Sequence, residues 1–230
     1  MKIVTVLASP KGMKGYTGKL VAPMIEAVES AGAEHKLIAF NEVKVNHCKG
    51  CVPNCHKTGK CHQKDDDFAA ILEQLLAADG IIFATPNYMF SVTAQLKSLL
   101  DRCSYPLHTG QFKHKHCATL VTCGGSDAEM VHDYLKEILT TFGFWNVGRI
   151  SGVQLQFEDP EENESLRQQS FALGKQLAEA VAKKTEYDDQ REAIEQAFEI
   201  MGFLVQANKD VWPLAWKHWT ENLGMEEIEM

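Results

Sequence analysis

Four of the seven cysteines in this 230-residue chain fall within fourteen residues of one another. They are Cys48, Cys51, Cys55 and Cys61. Thiolates spaced so closely can converge on one centre, and compact runs of this type hold [4Fe–4S] clusters. Zinc is the main alternative, because four-thiolate zinc sites tolerate loose spacing and histidines are interspersed in the run. Four reduced thiols without a metal are the third interpretation. We refer to residues 46–64 as the cysteine loop.

Three polar loops, each following an apolar run, supply a second set of candidate residues. The first loop, residues 9–17, combines Ser9, Lys11, Tyr16 and Thr17 with glycines just before a predicted helix. Backbone N–H groups at a helix start can converge on an anion, so this loop predicts a phosphate site. It lacks the G-x-x-x-x-G-K-[ST] spacing, and a monophosphate therefore fits it better than a triphosphate. An ordinary strand-to-helix turn is the alternative.

The second and third loops predict a surface for a flat aromatic ring. The second loop, residues 85–94, mixes aromatic side chains with backbone polar groups, as an isoalloxazine ring requires. Its candidate residues are Pro86, Asn87, Tyr88, Met89, Phe90 and Ser91. The third loop, residues 122–126, contains Gly124 and Gly125, which let backbone approach a ring closely. The alternative for the second loop is that its aromatic side chains simply pack beneath it.

The elements that must position these loops alternate along the chain. Apolar runs predict five strands, near residues 2–8, 36–40, 80–84, 118–122 and 146–153. Helical patterns lie between and after them, near residues 17–31, 65–76, 92–102, 130–142 and 161–184, and the three aspartates at 65–67 are expected to cap the second helix. This alternation predicts a doubly wound parallel α/β sheet. Such sheets bind ligands beyond the carboxyl ends of their strands, where all three polar loops lie.

Composition limits the function classes. A chain that is 45% hydrophobic and 23% charged is typical of a soluble globular protein. The net charge is −8 and no basic block is present, so we do not expect a nucleic-acid partner. No apolar stretch approaches the roughly 18–20 residues of a membrane span, and the N-terminus lacks a signal pattern. We therefore expect a cytoplasmic protein with no membrane partner, in which an odd cysteine count favours metal or redox chemistry over disulfides.

Two of the polar loops resemble motifs of the NADPH-dependent FMN reductase superfamily. Residues 8–20, ASPKGMKGYTGKL, resemble its SPR-x-x-G-N-T phosphate loop. Lys11 replaces the usual Arg, and Tyr16 stands where the family usually has Asn. Residues 85–102, TPNYMFSVTAQLKSLLDR, resemble its second signature, which ends on an aspartate and an arginine, here Arg102.

The cysteine loop resembles that of the iron–sulfur flavoprotein branch of the same superfamily. The similarity runs through residues 48–67, CKGCVPNCHKTGKCHQKDDD. The family spacing is C-x2-C-x2-C followed by a more distant fourth cysteine. This chain has one extra residue, Pro53 or Asn54, between the second and third cysteines. Two interpretations follow. The loop accommodates the extra residue and still binds the cluster, or the extra residue indicates a family member that has lost the cluster.

The resemblance covers about residues 1–185 and implies a fold and a cofactor. The implied fold is a flavodoxin-like, five-stranded parallel sheet of order 2-1-3-4-5, with an FMN-binding domain at 1–186 and a helical extension at 187–230. The implied phosphate contacts come from Ser9, Lys11, Tyr16 and Thr17. The implied ring and ribityl contacts come from Pro86, Asn87, Tyr88, Met89, Phe90 and Ser91, with Gly124 and Gly125 also near the ring. No side-chain acid or base is required, so we expect no catalytic residue.

The resemblance also implies a function. We expect an FMN-dependent oxidoreductase that takes electrons from NAD(P)H or reduced ferredoxin and passes them to quinone, flavin or other small-molecule or protein acceptors. One alternative is an iron–sulfur flavoprotein that only carries electrons. Another is a zinc-stapled interaction module on the same scaffold. Members of the family are often homodimers or homotetramers with flavin near a subunit boundary, and we expect the same here.

The tail outside this resemblance has an aromatic pattern of its own. Apolar spacing predicts a helix over residues 190–207, and Pro213 then opens a second helix. Trp212, Trp216 and Trp219 follow one another at helical spacing on one face. Because a small core has little room for three indoles, we expect this stripe to dock on a second subunit. The alternative is that it folds back on its own chain as an extra layer.

Overall fold

Five parallel strands form the central sheet. The computed structural model describes residues 1–52, 54–125 and 128–226. The strands are β1 (Lys2–Leu7), β2 (Glu34–Ala39), β3 (Gly80–Pro86), β4 (His116–Cys123) and β5 (Trp145–Val153). Their order is β2-β1-β3-β4-β5, and every neighbouring pair is parallel. The predicted flavodoxin-like sheet and its strand order are therefore confirmed.

Helices follow the strands at nearly the predicted positions. They are α1 (Tyr16–Ser30), α2 (Asn54–Thr58), α3 (Phe68–Ala77), α4 (Ala94–Arg102), α5 (Ser104–His108), α6 (Glu129–Thr141), α7 (Gln154–Glu158), α8 (Pro160–Lys183), α9 (Asp188–Ala207) and α10 (Pro213–Asn222). The helices that the sequence did not predict, α2, α5 and α7, have five residues each, too few for a periodic pattern. Within the described ranges, no helix combines the length and apolar character needed to cross a membrane.

Two helical layers cover the two faces of the sheet. On one face, α1 and α8 pack against β1 residues such as Leu7. These two helices approach closely because Gly174 has no side chain, since a Cβ there would lie 2.6 Å from the Met24 carbonyl oxygen. On the other face, α3, α4 and α6 bury side chains such as Phe68 and Leu135. All three polar loops emerge from the carboxyl edge of the sheet between these layers.

The C-terminal helices form a third core at the start of β5. Trp145, Phe198, Trp212 and Trp219 are buried together there. The Trp219 indole Nε1 also donates a hydrogen bond to the His108 carbonyl at 2.7 Å. The prediction that the tryptophan stripe docks on a second subunit is therefore wrong, because Trp212 and Trp219 pack within the chain. The alternative, that the tail folds back on its own chain, describes the packing observed, and α9 and α5 supply the surface that these indoles contact.

Candidate functional site

A cavity of about 160 Å³ opens at the carboxyl ends of the strands. Its lining comes from the loops after β1, β3, β4 and β5, namely Ser9, Lys11, Gly15, Tyr16, Thr17, Pro86, Asn87, Tyr88, Thr122, Cys123, Gly124 and Gln154. Eight of the twelve residues predicted for FMN are thus brought together. The other four, Met89, Phe90, Ser91 and Gly125, lie within three residues of a lining residue in the chain but do not line the cavity themselves.

Hydrogen bonds fasten the three predicted loops to one another through Thr122. The Thr17 and Thr122 hydroxyl oxygens lie 2.7 Å apart, and both side chains are buried. The Thr122 carbonyl accepts a hydrogen bond from the Asn87 N–H at 2.7 Å. Sequence analysis counted Thr122 only as the start of a loop, although its place at the end of a buried strand was the available signal. The cavity walls are therefore fixed before any ligand arrives.

One end of the cavity has the properties of an anion site. Helix α1 begins at Tyr16, and Gly15 at its N-cap makes no side-chain capping bond. The Lys19 N–H donates to the Gly15 carbonyl at 3.0 Å, which starts the helical ladder. The N–H groups of residues 16–18 precede that ladder. Together with the positive end of the helix dipole, they suit a phosphate group.

The Tyr16 side chain is engaged elsewhere. Its hydroxyl donates to Glu158 Oε1 at 3.1 Å, and this hydrogen bond raises the pKa of Tyr16. Its ring lies 4.9 Å from the Phe157 ring. A contact from Tyr16 to a phosphate would therefore use the backbone N–H. Lys11, by contrast, lines the cavity with an exposed side chain.

The loop after β3 holds a strained turn beside the cavity. Met89 and Phe90 have φ angles of 52° and 60°, in the left-handed region that favours glycine. Tyr88 and Ser91 close the turn through paired backbone hydrogen bonds of 3.0 and 3.1 Å. The turn leaves Tyr88, Met89 and Phe90 exposed, Met89 to 91%. Left-handed backbone costs on the order of 1–3 kcal/mol per residue, and such strain concentrates at ligand sites.

Bare backbone borders the cavity on the side of β4. A Cβ added to Gly124 or Gly125 would meet no atom of the described residues within 4 Å. Neither glycine has a positive φ, so backbone conformation does not demand glycine there. The open space is what a flat ring lying against the loop would need. Ser126, which the sequence assigned to the same loop, lies outside the described residues.

The four clustered cysteines border a second cavity, of about 100 Å³, near α4 and α5. Cys48 is exposed, whereas Cys51, Cys55 and Cys61 are half-buried. Among the described residues, no three Cys, His, Asp or Glu side chains are gathered closely enough to hold a single metal ion. Burial raises the pKa of the Cys55 thiol. The structure thus brings the predicted thiols to one space without converging them on a point, and Pro53 lies outside the described residues.

Arg102, at the end of α4, anchors both limbs of the cysteine loop. It pairs with Asp66, and both side chains are fully buried. Its guanidinium also donates to Cys61 Sγ at 3.3 Å and to the carbonyl oxygens of Asn46 at 3.3 Å and Gln63 at 3.4 Å. Burial by itself would raise the pKa of Asp66, but hydrogen bonds from Arg102 and the backbone lower it below its ordinary value.

Of the three aspartates predicted to cap α3, Asp66 does so, since its Oδ1 accepts the N–H of Phe68, the first residue of the helix, at 3.3 Å. Asp67 occupies the N-cap position of α3 but makes no side-chain capping bond there. Its carboxylate accepts the Lys44 N–H at 2.8 Å, and the Asp66 carboxylate accepts the Asn46 N–H at 2.7 Å. Each carboxylate therefore joins the residues just before the first cysteine of the cluster to the segment that follows the last one. The Asp66 carboxylate also pairs with Arg102.

The C-terminal extension holds the middle of the cysteine loop through His56. This ring is 1% exposed and stacks on Trp212 with ring centres 4.7 Å apart. His56 Nε2 lies 3.1 Å from His108 Nδ1, and His56 Nδ1 lies 3.4 Å from Cys55 Sγ. Burial, and secondarily His108, lowers the pKa of His56 to about 4, so the ring is neutral near pH 7. Sequence analysis missed this contact.

The family model for NADPH-dependent FMN reductase matches residues 1–157. The chain belongs to the NADPH-dependent FMN reductase family. One relative, an iron-sulfur flavoprotein of Archaeoglobus fulgidus, is 28% identical over 221 residues, which cover 92% of this chain and 97% of the relative. Another, an iron-sulfur flavoprotein of Methanosarcina thermophila, is 32% identical over 149 residues, covering 59% of this chain and 73% of the relative.

Solved structures share the family's fold at low sequence identity. An NAD(P)H:quinone oxidoreductase from Methanothermobacter marburgensis superposes with a TM-score of 0.61 at 16% identity, covering 77% of this chain and 96% of that one. An FMN-dependent NADH-azoreductase from Bacillus anthracis, solved in complex with FMN, gives 0.60 at 15% identity, covering 77% and 100%. At this identity the likeness shows the fold.

Proposed function

We propose that this protein is an FMN-dependent oxidoreductase that takes electrons from NAD(P)H or reduced ferredoxin and passes them to quinone, flavin or another acceptor. When bound, FMN accepts hydride or single electrons at its ring, and the polypeptide binds and orients it. Residues 1–186 form the FMN-binding unit in this proposal. Residues 187–230 are the helical extension in this proposal, and its described part, residues 187–226, packs against one end of that unit and against the cysteine loop.

The observation that best supports this proposal is the strained, exposed turn beside an open cavity at the carboxyl edge of the sheet. The turn holds Tyr88, Met89 and Phe90 in solvent at a conformational cost. A bound ring would cover these side chains and lie against the open backbone of Gly124 and Gly125. Membership of the FMN reductase family supports this assignment.

The phosphate of FMN is proposed to bind at the start of α1. Backbone N–H groups of residues 16–18, the Ser9 hydroxyl and the Lys11 ammonium are the donors. Thr17 contributes its N–H, since its buried hydroxyl already pairs with Thr122. Pro86, Asn87 and Ser91 are proposed to complete the ring and ribityl contacts. Pro86 and Asn87 line the cavity, and Ser91 closes the turn beside it through backbone hydrogen bonds with Tyr88.

The cysteine loop is proposed to hold an iron–sulfur cluster through Cys48, Cys51, Cys55 and Cys61. A zinc–sulfur distance of about 2.3 Å would draw four sulfur atoms to within about 4 Å of one another. The described residues contain no such convergence. Four thiols around a cavity of about 100 Å³ suit a multi-atom cluster better. The names of relatives similar to this chain support the same choice.

Anaerobic purification tests both cofactors in one preparation. We expect about one FMN per chain after acid release, together with about four iron and four sulfide. Mixing with NADPH, NADH or reduced ferredoxin should then bleach the flavin absorbance, and a quinone should restore it. A colourless protein that neither binds added FMN nor shows flavin absorbance would refute the oxidoreductase proposal. Zinc without iron or sulfide would refute the cluster alone.

A further inference from the structure

Residues 43–64, which include the cysteine loop, carry a positive charge although the overall charge of the chain is negative. Residues 43–64 contain five lysines and no aspartate or glutamate, for a formal charge of +5. The rest of the chain holds 18 basic and 31 acidic residues, for a formal charge of −13. The five lysines all have exposed side chains, and they are Lys44, Lys49, Lys57, Lys60 and Lys64.

Nearby carboxylates, among them the exposed Glu42 just before this segment, offset only part of this charge. Asp66 is buried against Arg102, and Asp101 pairs with Lys97 on α4. Asp65 and Asp67 are exposed at the end of the loop. None of the five lysines forms an ion pair with a carboxylate of residues 1–52, 54–125 or 128–226. The lysine-bearing surface therefore presents its charge to solvent.

The positive surface reaches the thiols themselves. An open cavity of about 700 Å³ is lined by Lys49, Lys64 and Cys51, together with two histidines and Asp65. Cys51 also borders the smaller cavity shared by the four cysteines. Cys48, next to Lys49 in the chain, is exposed. A protein seated on this surface would lie directly against the proposed cluster site.

We propose that the lysine-bearing surface of residues 43–64 docks an acidic electron-carrier protein. This inference rests on the proposed function, because it identifies where a protein donor would meet the cysteine loop. Complementary charge raises association rates by roughly 10- to 1000-fold at low salt and sets the orientation of the partner. The contact is polar and held by flexible lysines, which suits a carrier that must leave after each encounter.

Binding of oxidised plant-type ferredoxin, an acidic one-electron carrier, tests the docking site without turnover. Calorimetric titration of the full-length protein at 50 mM salt should show binding that is lost by 500 mM, because surface charges are then screened. The double substitution Lys49→Glu and Lys60→Glu should weaken binding at least tenfold at 50 mM. The matched control, Lys175→Glu with Lys183→Glu, changes the net charge equally on α8, at the opposite face of the sheet. This control should bind as the parent does.

The outcomes separate the docking site from the flavin chemistry. Equal loss in both double variants would overturn the proposal, since only net charge would then matter. Absence of ferredoxin binding in a protein that still oxidises NADPH would overturn the docking site and leave the proposed function standing. Ferredoxin binding as predicted, by a protein that shows no flavin activity, would support the docking site and overturn the proposed function. A DNA duplex that binds as tightly, with the same loss in the loop variant, would also overturn it.

Discussion

Replacing Arg102 with methionine is the most direct test of how the cysteine loop is held. Arg102→Met keeps an unbranched, apolar stem but removes the charge that faces the buried Asp66. It also removes the hydrogen bonds to Cys61 Sγ and to the carbonyl oxygens of Asn46 and Gln63. Asp66 retains only its backbone donors, so the variant leaves a buried carboxylate without its counter-charge.

Breaking a fully buried ion pair on one side costs about 3–5 kcal/mol. In a chain of this size each 1 kcal/mol lowers the melting temperature by roughly 2–4 °C, so we expect a fall of roughly 6–20 °C. The matched control is Lys97→Met on the same helix, whose ion pair with Asp101 is about half exposed. Exposed pairs of this spacing contribute about 0.3–0.5 kcal/mol. The control should therefore melt within about 2 °C of the parent.

Calorimetry and hydrogen exchange together check this reasoning. The exchange of backbone amides in residues 43–67 should accelerate in Arg102→Met, while the sheet amides stay protected. Adding Asp66→Leu to Arg102→Met should recover part of the lost stability, because the orphaned carboxylate is then gone. The reasoning is refuted if Arg102→Met melts no lower than Lys97→Met, or if the loop amides exchange at the parent's rate.

Three further predictions address the ligand cavity, the tail and the pH response. Gly124→Val fills open space, so the flavin-free variant should have the melting temperature of the parent. Its FMN dissociation constant, measured by fluorescence titration, should rise at least tenfold. An unchanged dissociation constant would show that the flavin ring does not lie against this loop. Trp212→Ala should lower the free energy of unfolding, measured with urea, by about 3–5 kcal/mol. Trp216→Ala, at a half-buried position, should lower it less. Equal losses in the two variants would show that Trp212 does not anchor the tail. Burial lowers the pKa of His116 below its ordinary 6.5, although its hydrogen bond to the Thr185 carbonyl opposes this. Because the unfolded chain then binds more protons than the folded chain, the free energy of unfolding should fall as pH drops below 6.5. His116→Gln should make this dependence on pH less steep. An identical dependence in the variant would exclude His116 as a contributor.

The sheet and its loops were predictable because their signals are local. Each strand is an unbroken apolar run, and the parallel rule then places the loops after β1, β3 and β4 at one edge. That rule needs no knowledge of packing, which is why Ser9, Pro86 and Gly124 could be assigned to one site from the sequence. The strained conformation of Met89 and Phe90 carries no such signal, since neither residue type favours a positive φ.

Contacts between distant segments were not predictable from the sequence. His56 meets His108 across 52 residues and Trp212 across a longer span. Nothing in the spacing of either segment indicates its partner. Asp66 shows the same limit, because three aspartates before a helix indicate a cap but give no sign of the buried Arg102 that pairs with the same carboxylate. The tryptophan stripe was recognised, but its partner surface was formed by α9 and α5 rather than by a second subunit.

The pairing of α1 with α8 joins parts of the chain that are synthesised at different times. The Ser170 hydroxyl donates to the Leu20 carbonyl at 2.5 Å across 150 residues. At about 5–20 residues per second, that interval takes roughly 8–30 s to translate. During it the side of α1 that faces α8 has no lasting cover, because Gly174 and its neighbours are still unmade. A nascent chain stalled near residue 157, where the family match ends, would contain every strand and every proposed FMN residue but would remain a substrate for chaperones and proteases.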